Sequence, residues 1–156
     1  MNAILIGLDK NKTDGLIINL NSLLANYQVY YQNVRGLHWN IKGKNFFGLH
    51  VKFEEIYTDS QEKVDMIAER ILTLGGTPIH TFDEYIKLSK VPVGNNISND
   101  IKAVELIVRS LSELLKIERV ILDRAGDAND EGTNAMMSDF ISEQEKTIWM
   151  MKAWLS

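Results

Sequence analysis

The chain has 156 residues, 45% of them hydrophobic, a formal net charge of −4 and no cysteine. This predicts one domain, residues 1–156, with a sizeable core; it excludes disulfides, thiolate zinc sites and cysteine nucleophiles and argues against a nucleic-acid-binding surface. With no secretion signal and no run of the ~20 apolar residues that a membrane span needs, we expect a cytoplasmic protein with no membrane partner.

The first predicted helix begins near residue 13 and ends in the segment 42–45. Thr13 or Asp14 can cap its start. Its apolar residues alternate in spacing between four and three, which places them on one face of a helix, and a flanking row repeats every seven residues and ends at His38. The stripe consists of Leu16, Leu20, Leu23, Tyr27, Tyr30, Val34, Leu37 and Ile41.

A second helix is predicted from about Phe46 to Leu74, where two glycines and then a proline end it. The connection 77–96 follows, and Thr81 and Glu84 have the spacing of a capping box for one short helix inside it. Such a long connection indicates that the second and third long helices run in the same direction.

The third long helix is predicted over about 98–125, the segment 126–133 as a turn, and the fourth helix over about 134–154. Glu118 interrupts the apolar stripe of the third helix, and we expect it at the edge of the stripe or paired with a basic side chain. That stripe is Ile101, Val104, Val108, Leu111, Leu115, Glu118, Leu122 and Ala125. The pattern predicts an all-α, ferritin-like four-helix bundle with a short extra helix between the second and third helices.

Four potential metal ligands lie on one narrow stripe of the second helix. His50, Glu54, Asp65 and Glu69 stand at offsets 0, 4, 15 and 19, which at ~100° per residue fall at about 0°, 40°, 60° and 100°. At ~1.5 Å per residue, His50 and Asp65 lie about 22 Å apart, too far to share an ion within one chain. An antiparallel copy related by a two-fold axis near residues 59–60 would bring the two ends together. The spacing therefore predicts a metal site between two identical subunits.

His38 completes this set, because it ends the first helix just before the turn that leads to His50. Two histidines with two carboxylates suit Fe(II) and its oxidation, and zinc would also bind them. The alternative for each residue is an interfacial polar side chain that hydrogen-bonds to its neighbours. No histidine has a glutamate three residues before it, so a di-iron site inside the bundle is not expected.

Several segments resemble the Dps family, the miniferritins. The segments are GLHWNIKGKNFFGLHVKFEEIY (36–57), DMIAERILTLGGTP (65–78) and IWMMKAWL (148–155). The pattern of His38-Trp39, His50, Asp65 and Glu69 is highly specific, and the resemblance covers essentially the whole chain.

The resemblance implies a dodecameric hollow shell with ferroxidase centres at two-fold interfaces. It implies that each centre takes His38 and His50 from one subunit and Asp65 and Glu69 from the other. By the same resemblance, Glu54 is an acidic ligand for a second iron. Trp39 is then an aromatic residue that quenches oxidising intermediates. For Trp39 the alternative is interface packing. The implied reaction is oxidation of Fe(II) by hydrogen peroxide or dioxygen, peroxide being preferred, with storage of Fe(III) in the shell and protection from oxidative stress.

Two departures from the family pattern matter. Residues 1–15 carry as many acidic as basic side chains, and no basic tail follows the last helix, so DNA binding is not favoured. The acidic residues that could line an iron-entry pore are Asp127, Asp130 and Glu131, and Ala135 stands where the family commonly has another aspartate. The alternative role of these acidic residues is to cap the start of the last helix and interact with its dipole. The alternatives are a DNA-compacting nucleoid protein and a shell with structural zinc. His80 receives no role.

Overall fold

The computed structural model describes residues 3–156. A short 3-10 turn at Ala3–Ile6 precedes five α-helices, and the described residues contain no β-strand. The helices are α1 (Lys10–Asn40), α2 (Phe46–Thr73), α3 (Phe82–Leu88), α4 (Asp100–Asp127) and α5 (Glu131–Leu155). Among the described residues, none of the helices combines the length and apolar character needed to cross a bilayer.

The four long helices form the predicted bundle. Helix α1 packs against α2, α3 and α4, and α4 packs against α5. The side chain of Asn45, before α2, donates a 2.7 Å hydrogen bond to Asp100 at the start of α4. The two helices therefore begin at the same end of the bundle, as the long connection predicts. The ferritin-like, all-α prediction is confirmed.

Three asparagines of α1 hold the connection between α2 and α4 in place. The side-chain oxygen of Asn21 accepts a hydrogen bond from the Ile79 amide at 2.8 Å. That of Asn26 accepts from the Lys90 amide at 2.8 Å and the Val91 amide at 3.1 Å. That of Asn33 accepts from the Gly94 amide at 2.8 Å. Asn21 and Asn33 also donate to the carbonyl oxygens of Thr77 and Pro92. The side chains of one helix thus satisfy backbone groups that have no strand or helix partner of their own.

The apolar stripe of α1 is buried at every predicted position. Its start differs from the prediction: Asp9 caps α1 by accepting from the Asn11 amide at 2.8 Å, while Thr13 is buried inside the helix and Asp14 pairs with Lys10. Thr81 is the N-cap of α3 as predicted and accepts from the Glu84 amide at 3.4 Å, but the Glu84 carboxylate accepts from the Thr81 hydroxyl at 2.6 Å in place of the main-chain bond of a full capping box.

The turn between the last two helices is shorter than predicted. Helix α4 extends to Asp127 and α5 begins at Glu131, so residues 128–130 make the reversal, with Asn129 in the left-handed region at φ 55°. Asparagine tolerates this conformation better than most residues.

The predicted stripe of α4 is only half right. Val104, Leu111, Glu118 and Ala125 are buried, but Ile101 is exposed and the other predicted members are partly buried. The buried face is rotated about the helix axis relative to the predicted stripe. It also contains Ala103, Leu106, Ile107, Ser110, Leu114 and Ile121.

Candidate metal centre

His38 and His50 hold each other in place across the α1–α2 turn. The Nδ1 atom of His38 lies 2.7 Å from the carbonyl oxygen of His50, and the Nδ1 atom of His50 lies 2.9 Å from the carbonyl oxygen of His38. Because a carbonyl oxygen only accepts, each Nδ1 carries the proton. In the neutral ring each Nε2 atom then has a lone pair, the state in which imidazole binds a metal.

The two imidazole rings are stacked, with centroids 3.8 Å apart and an angle of 21° between their planes. Phe46 also stacks on His50, with centroids 5.0 Å apart, and Tyr57 contacts His38 edge-on at 5.4 Å. His38 is buried and His50 is half-buried. Sequence reasoning did not identify Tyr57, although it follows His50 by seven residues and so lies on the same face of α2.

The predicted carboxylate ligands are all on α2 and all exposed: Glu54, Asp65 and Glu69. Among residues 3–156, no three histidine, aspartate or glutamate side chains lie close enough together to hold a metal ion. One chain therefore brings the two histidines together but does not bring Asp65 or Glu69 to them. The predicted ligands are therefore not all brought together within one chain.

Trp39 follows His38 in α1 and is 58% exposed. The guanidinium of Arg35, one helical turn earlier, is 4.8 Å from the Trp39 ring and 5.1 Å from the ring of Tyr31. This contact places a cation over the indole, a favourable arrangement that fixes the side chain on the surface of α1.

The three predicted pore residues have different environments. Asp127 and Glu131 are exposed, whereas Asp130 is 2% exposed, caps α5 by accepting from the Thr133 amide at 3.0 Å, and forms an ion pair with Arg70. Asp130 is therefore a structural residue of the α4–α5 turn and does not fit the predicted pore lining.

Glu118 is fully buried, which corrects the prediction that it lies at the edge of a stripe or pairs with a basic side chain. Its Oε1 accepts a 2.9 Å hydrogen bond from the hydroxyl of Tyr27 and another from the amide of Gln144, whose nitrogen also donates to the Tyr27 oxygen at 2.6 Å. Burial raises the pKa of Glu118 to about 7, although both hydrogen bonds act to lower it. A glutamate in an apolar stripe was the only sequence signal for this network.

His80 is exposed in the connection, where its Nδ1 lies 3.1 Å from the carbonyl oxygen of Pro78.

A family model described as a ferritin-like domain matches residues 17–156. The chain is 40% identical to a DNA protection during starvation protein of Porphyromonas gingivalis over 148 residues, which is 95% of this chain and 93% of that protein. It is 52% identical to an uncharacterized protein of Haemophilus influenzae, with 95% of this chain and 92% of that protein covered.

Solved structures agree with the family model. The structure is similar to a Dps protein from Vibrio cholerae O1, described as a member of a broad superfamily of ferritin-like diiron-carboxylate proteins, with a TM-score of 0.96, 51% identity and coverage of 100% of this chain and 98% of that one. A Dps protein from Bacillus brevis gives a TM-score of 0.90 at 33% identity, covering 94% of this chain and 98% of that one.

Proposed function

Because this chain belongs to the Dps family of ferritin-like proteins, we propose that it oxidises Fe(II) at centres shared between two subunits. The resulting Fe(III) is stored inside a hollow dodecameric shell, and the reaction protects the cell against peroxide. The observation that carries this proposal is the reciprocal histidine pair, in which main-chain carbonyl oxygens engage both Nδ1 atoms and leave both Nε2 atoms to bind a metal.

The exposed face of α2 supports a shared centre. Phe47 and Leu72, His50 and Glu69, and Glu54 and Asp65 are three pairs centred between residues 59 and 60. In an antiparallel contact of two α2 helices about a two-fold axis, the members of each pair meet across the interface. The exposed apolar side chains Phe47 and Leu72 would then cover each other, and each histidine pair would face the carboxylates of the partner.

The ligand set fits iron as a substrate. Imidazole nitrogens bind Fe(II), and carboxylates favour the harder Fe(III) product. Two Fe(II) ions and two protons reduce one hydrogen peroxide to two waters and leave two Fe(III) ions, so no hydroxyl radical needs to form. Glu54 would bind the second iron. Zinc would occupy the same ligands as a competitor.

Other residues have proposed supporting roles. Trp39 lies next to His38 and would give an electron to oxidising species that escape the centre. Asp127 and Glu131 are the remaining candidates for an acidic iron-entry pore. The net charge of −4 per chain would attract Fe(II) to the assembled particle. We place the protein in the cytoplasm.

DNA compaction is the alternative function, since the Porphyromonas gingivalis relative is a DNA protection during starvation protein. Residues 1–15 have no net side-chain charge and the chain as a whole is acidic, which disfavours binding to phosphate. Retardation of a plasmid at physiological salt would support this alternative.

The test is anaerobic loading of the purified protein with Fe(II), followed by hydrogen peroxide, with ferric absorbance and a hydroxyl-radical spin trap as readouts. We expect fast formation of soluble ferric iron and little trapped radical. His50→Ala should remove both effects, and His80→Ala, which alters an exposed histidine elsewhere, should keep both. Oxidation no faster than in buffer, with precipitation of iron, would overturn the proposal and leave structural zinc as the next role to test by metal analysis and chelation.

A further inference from the structure

The ammonium group of Lys63 is a cation inside the four-helix bundle. Lys63 is 5% exposed, and lysine is rarely buried to this extent unless it is paired. Its Nζ atom donates to Asp59, one turn earlier on α2, and to Glu143 on α5 at 2.6 Å, and it lies 5.2 Å from the centre of the Phe140 ring. Burial acts to lower the pKa of Lys63, but the bonds to the two carboxylates together raise it above its ordinary value, so the side chain remains a cation.

A small cavity borders this ammonium group, and side chains with unpartnered oxygen atoms border the same cavity. Its volume is about 40 Å³, which is room for one water molecule or small ion. Tyr30 and Gln144 line it together with Asp59, Lys63 and Glu143. The hydroxyl of Tyr30 and the Oε1 atom of Gln144 are buried and have no hydrogen-bond partner among the described residues. Four oxygen-bearing side chains from three helices therefore share one cavity with a lysine.

We propose that Tyr30, Asp59, Glu143 and Gln144 form an oxygen-ligand site for a divalent cation, and that the Lys63 ammonium fills this site and keeps such ions out of the bundle. The ions concerned are those that accept carboxylate, carbonyl and water ligands, such as Mn(II), Mg(II) and Fe(II). None of the four residues belongs to the proposed iron centre, so the site can be tested without iron oxidation.

The donor atoms suit a hard divalent ion. Asp59 and Glu143 supply two carboxylates, and they are 54% and 60% exposed, so water can complete the ligand set from their side. The nitrogen of Gln144 is already used, because it donates to Glu118, and its oxygen is the atom left to bind. No three acidic or histidine side chains converge anywhere in residues 3–156, so the amide oxygen and the Tyr30 hydroxyl are essential members of the set.

Electrostatics favours an occupant with positive charge at this position. The carboxylate of Glu118 is fully buried, and its Oε2 atom has no partner among residues 3–156. Burial raises the pKa of Glu118 to about 7, and the positive charge of Lys63 is among the influences that lower it. A tethered ammonium cannot diffuse away, so it holds the place against free ions. Removal of Lys63 would leave buried negative charge uncompensated, which a divalent ion could neutralise.

The test titrates Mn(II) into assembled, metal-free protein and measures free Mn(II) by electron paramagnetic resonance. Every protein in the series carries His50→Ala, which removes one histidine of the intersubunit centre. Lys63→Ala should bind one Mn(II) ion per chain more than this parent protein, and Lys63→Arg, which keeps a cation in place, should bind no more than the parent. Equal binding by Lys63→Ala and the parent would overturn the proposal.

A second comparison separates a site inside the bundle from loose binding to the two exposed carboxylates. Tyr30→Phe removes only a hydroxyl that has no partner among the described residues. Added to Lys63→Ala, it should weaken Mn(II) binding at least about tenfold. Tyr31→Phe, the matched control on α1, should leave the affinity unchanged. Equal affinities with and without Tyr30→Phe would show that the ion lies outside the cavity and would overturn the proposal.

Lys63→Glu covers the case in which Lys63→Ala does not assemble. It places a third carboxylate beside the cavity, so Mn(II) should raise its unfolding temperature and leave that of Lys63→Arg unchanged. No rise, or no assembly even with Mn(II) present, would overturn the proposal. If His50→Ala leaves Fe(II) oxidation unchanged, the proposed function fails, and the difference between Lys63→Ala and Lys63→Arg still decides the role of Lys63.

Discussion

His38 and His50 each donate an Nδ1 proton to the main-chain carbonyl oxygen of the other. Main-chain carbonyl oxygens therefore help to set the orientation of both rings, against which Phe46 and Tyr57 also pack. We predict that the neutral form of both rings carries its proton on Nδ1 in the metal-free protein. Two-dimensional ¹⁵N NMR should show a protonated Nδ1 and an unprotonated Nε2 for each residue, and zinc should shift the Nε2 resonances. Protonated Nε2 atoms in the neutral rings would contradict the arrangement.

A shared centre predicts complementation between inactive variants. His50→Ala removes one half of the ligand set and Asp65→Ala the other, so each variant alone should lose fast Fe(II) oxidation but still assemble. In shells of the two chains mixed at random in equal amounts, about a quarter of the centres would have both intact halves. We expect roughly that fraction of wild-type activity in stopped-flow assays, and none in shells proven to be mixed would rule out an intersubunit site.

The buried Glu118 predicts a pH-dependent stability. Burial raises its pKa from 4.5 to about 7, so the folded protein holds this proton more tightly than the unfolded chain does. Its contribution is complete below pH 4.5 and is lost as pH rises to about 7, by about 3 kcal/mol at most. Glu118→Gln should remove this slope. Denaturation of both proteins at pH 5 and pH 8 and one protein concentration tests this; identical pH dependence in the two would refute it.

The acidic residues at the α4–α5 turn should differ in their effect on stability, because Asp130 is buried and Asp127 and Glu131 are exposed. Asp130→Ala removes both the cap of α5 and the partner of Arg70, and we expect a loss of about 3 kcal/mol in thermal unfolding. Asp127→Asn and Glu131→Gln should leave stability within about 0.5 kcal/mol but slow iron entry. Equal stability losses in all three variants would contradict this division.

Gly76 lies where α2 approaches α1 closely. An added Cβ would lie 2.6 Å from Cγ2 of Ile17 and 3.0 Å from Cγ2 of Ile71, both on stiff β-branched side chains. Gly76→Ala should therefore cost about 1–3 kcal/mol in unfolding free energy. Gly15→Ala is the control, since its nearest neighbour would be 3.7 Å away and alanine favours helix by up to about 1 kcal/mol. A neutral Gly76→Ala would show that the helices can separate at this point.

Hydrophobic periodicity predicted those parts of the fold that depend on burial alone. The stripe of α1 is fully correct because each of its members is large and apolar. The stripe of α4 is displaced because its true buried face also includes the small or polar residues Ala103 and Ser110, which carry little apolar signal. The Asp9 cap lies before the stripe begins, and the polar ends of α4 and α5 resemble a turn in sequence.

The sequence predicts the relative positions of the candidate ligands on α2, but not the contacts that form between helices. Spacing on one helix places Asp65 and Glu69 relative to His50, but only the folded turn shows that His38 and His50 exchange hydrogen bonds through main-chain carbonyls. Tyr57 beside His38 and the acceptor of Tyr27 depend on side-chain packing between helices, for which a single sequence gives no distance.

The hydrogen bonds from the three asparagines of α1 fix how many residues the connection between α2 and α4 can have. Amides from Ile79 to Gly94 bond at fixed heights along α1, so deletion of one residue between them would move every later amide away from its acceptor. Insertions at Asn95-Asn96, beyond the last of these bonds, would leave the register intact. A foreign peptide or label could therefore be inserted there without disturbing the packing of α1 against α2 or of α4 against α5.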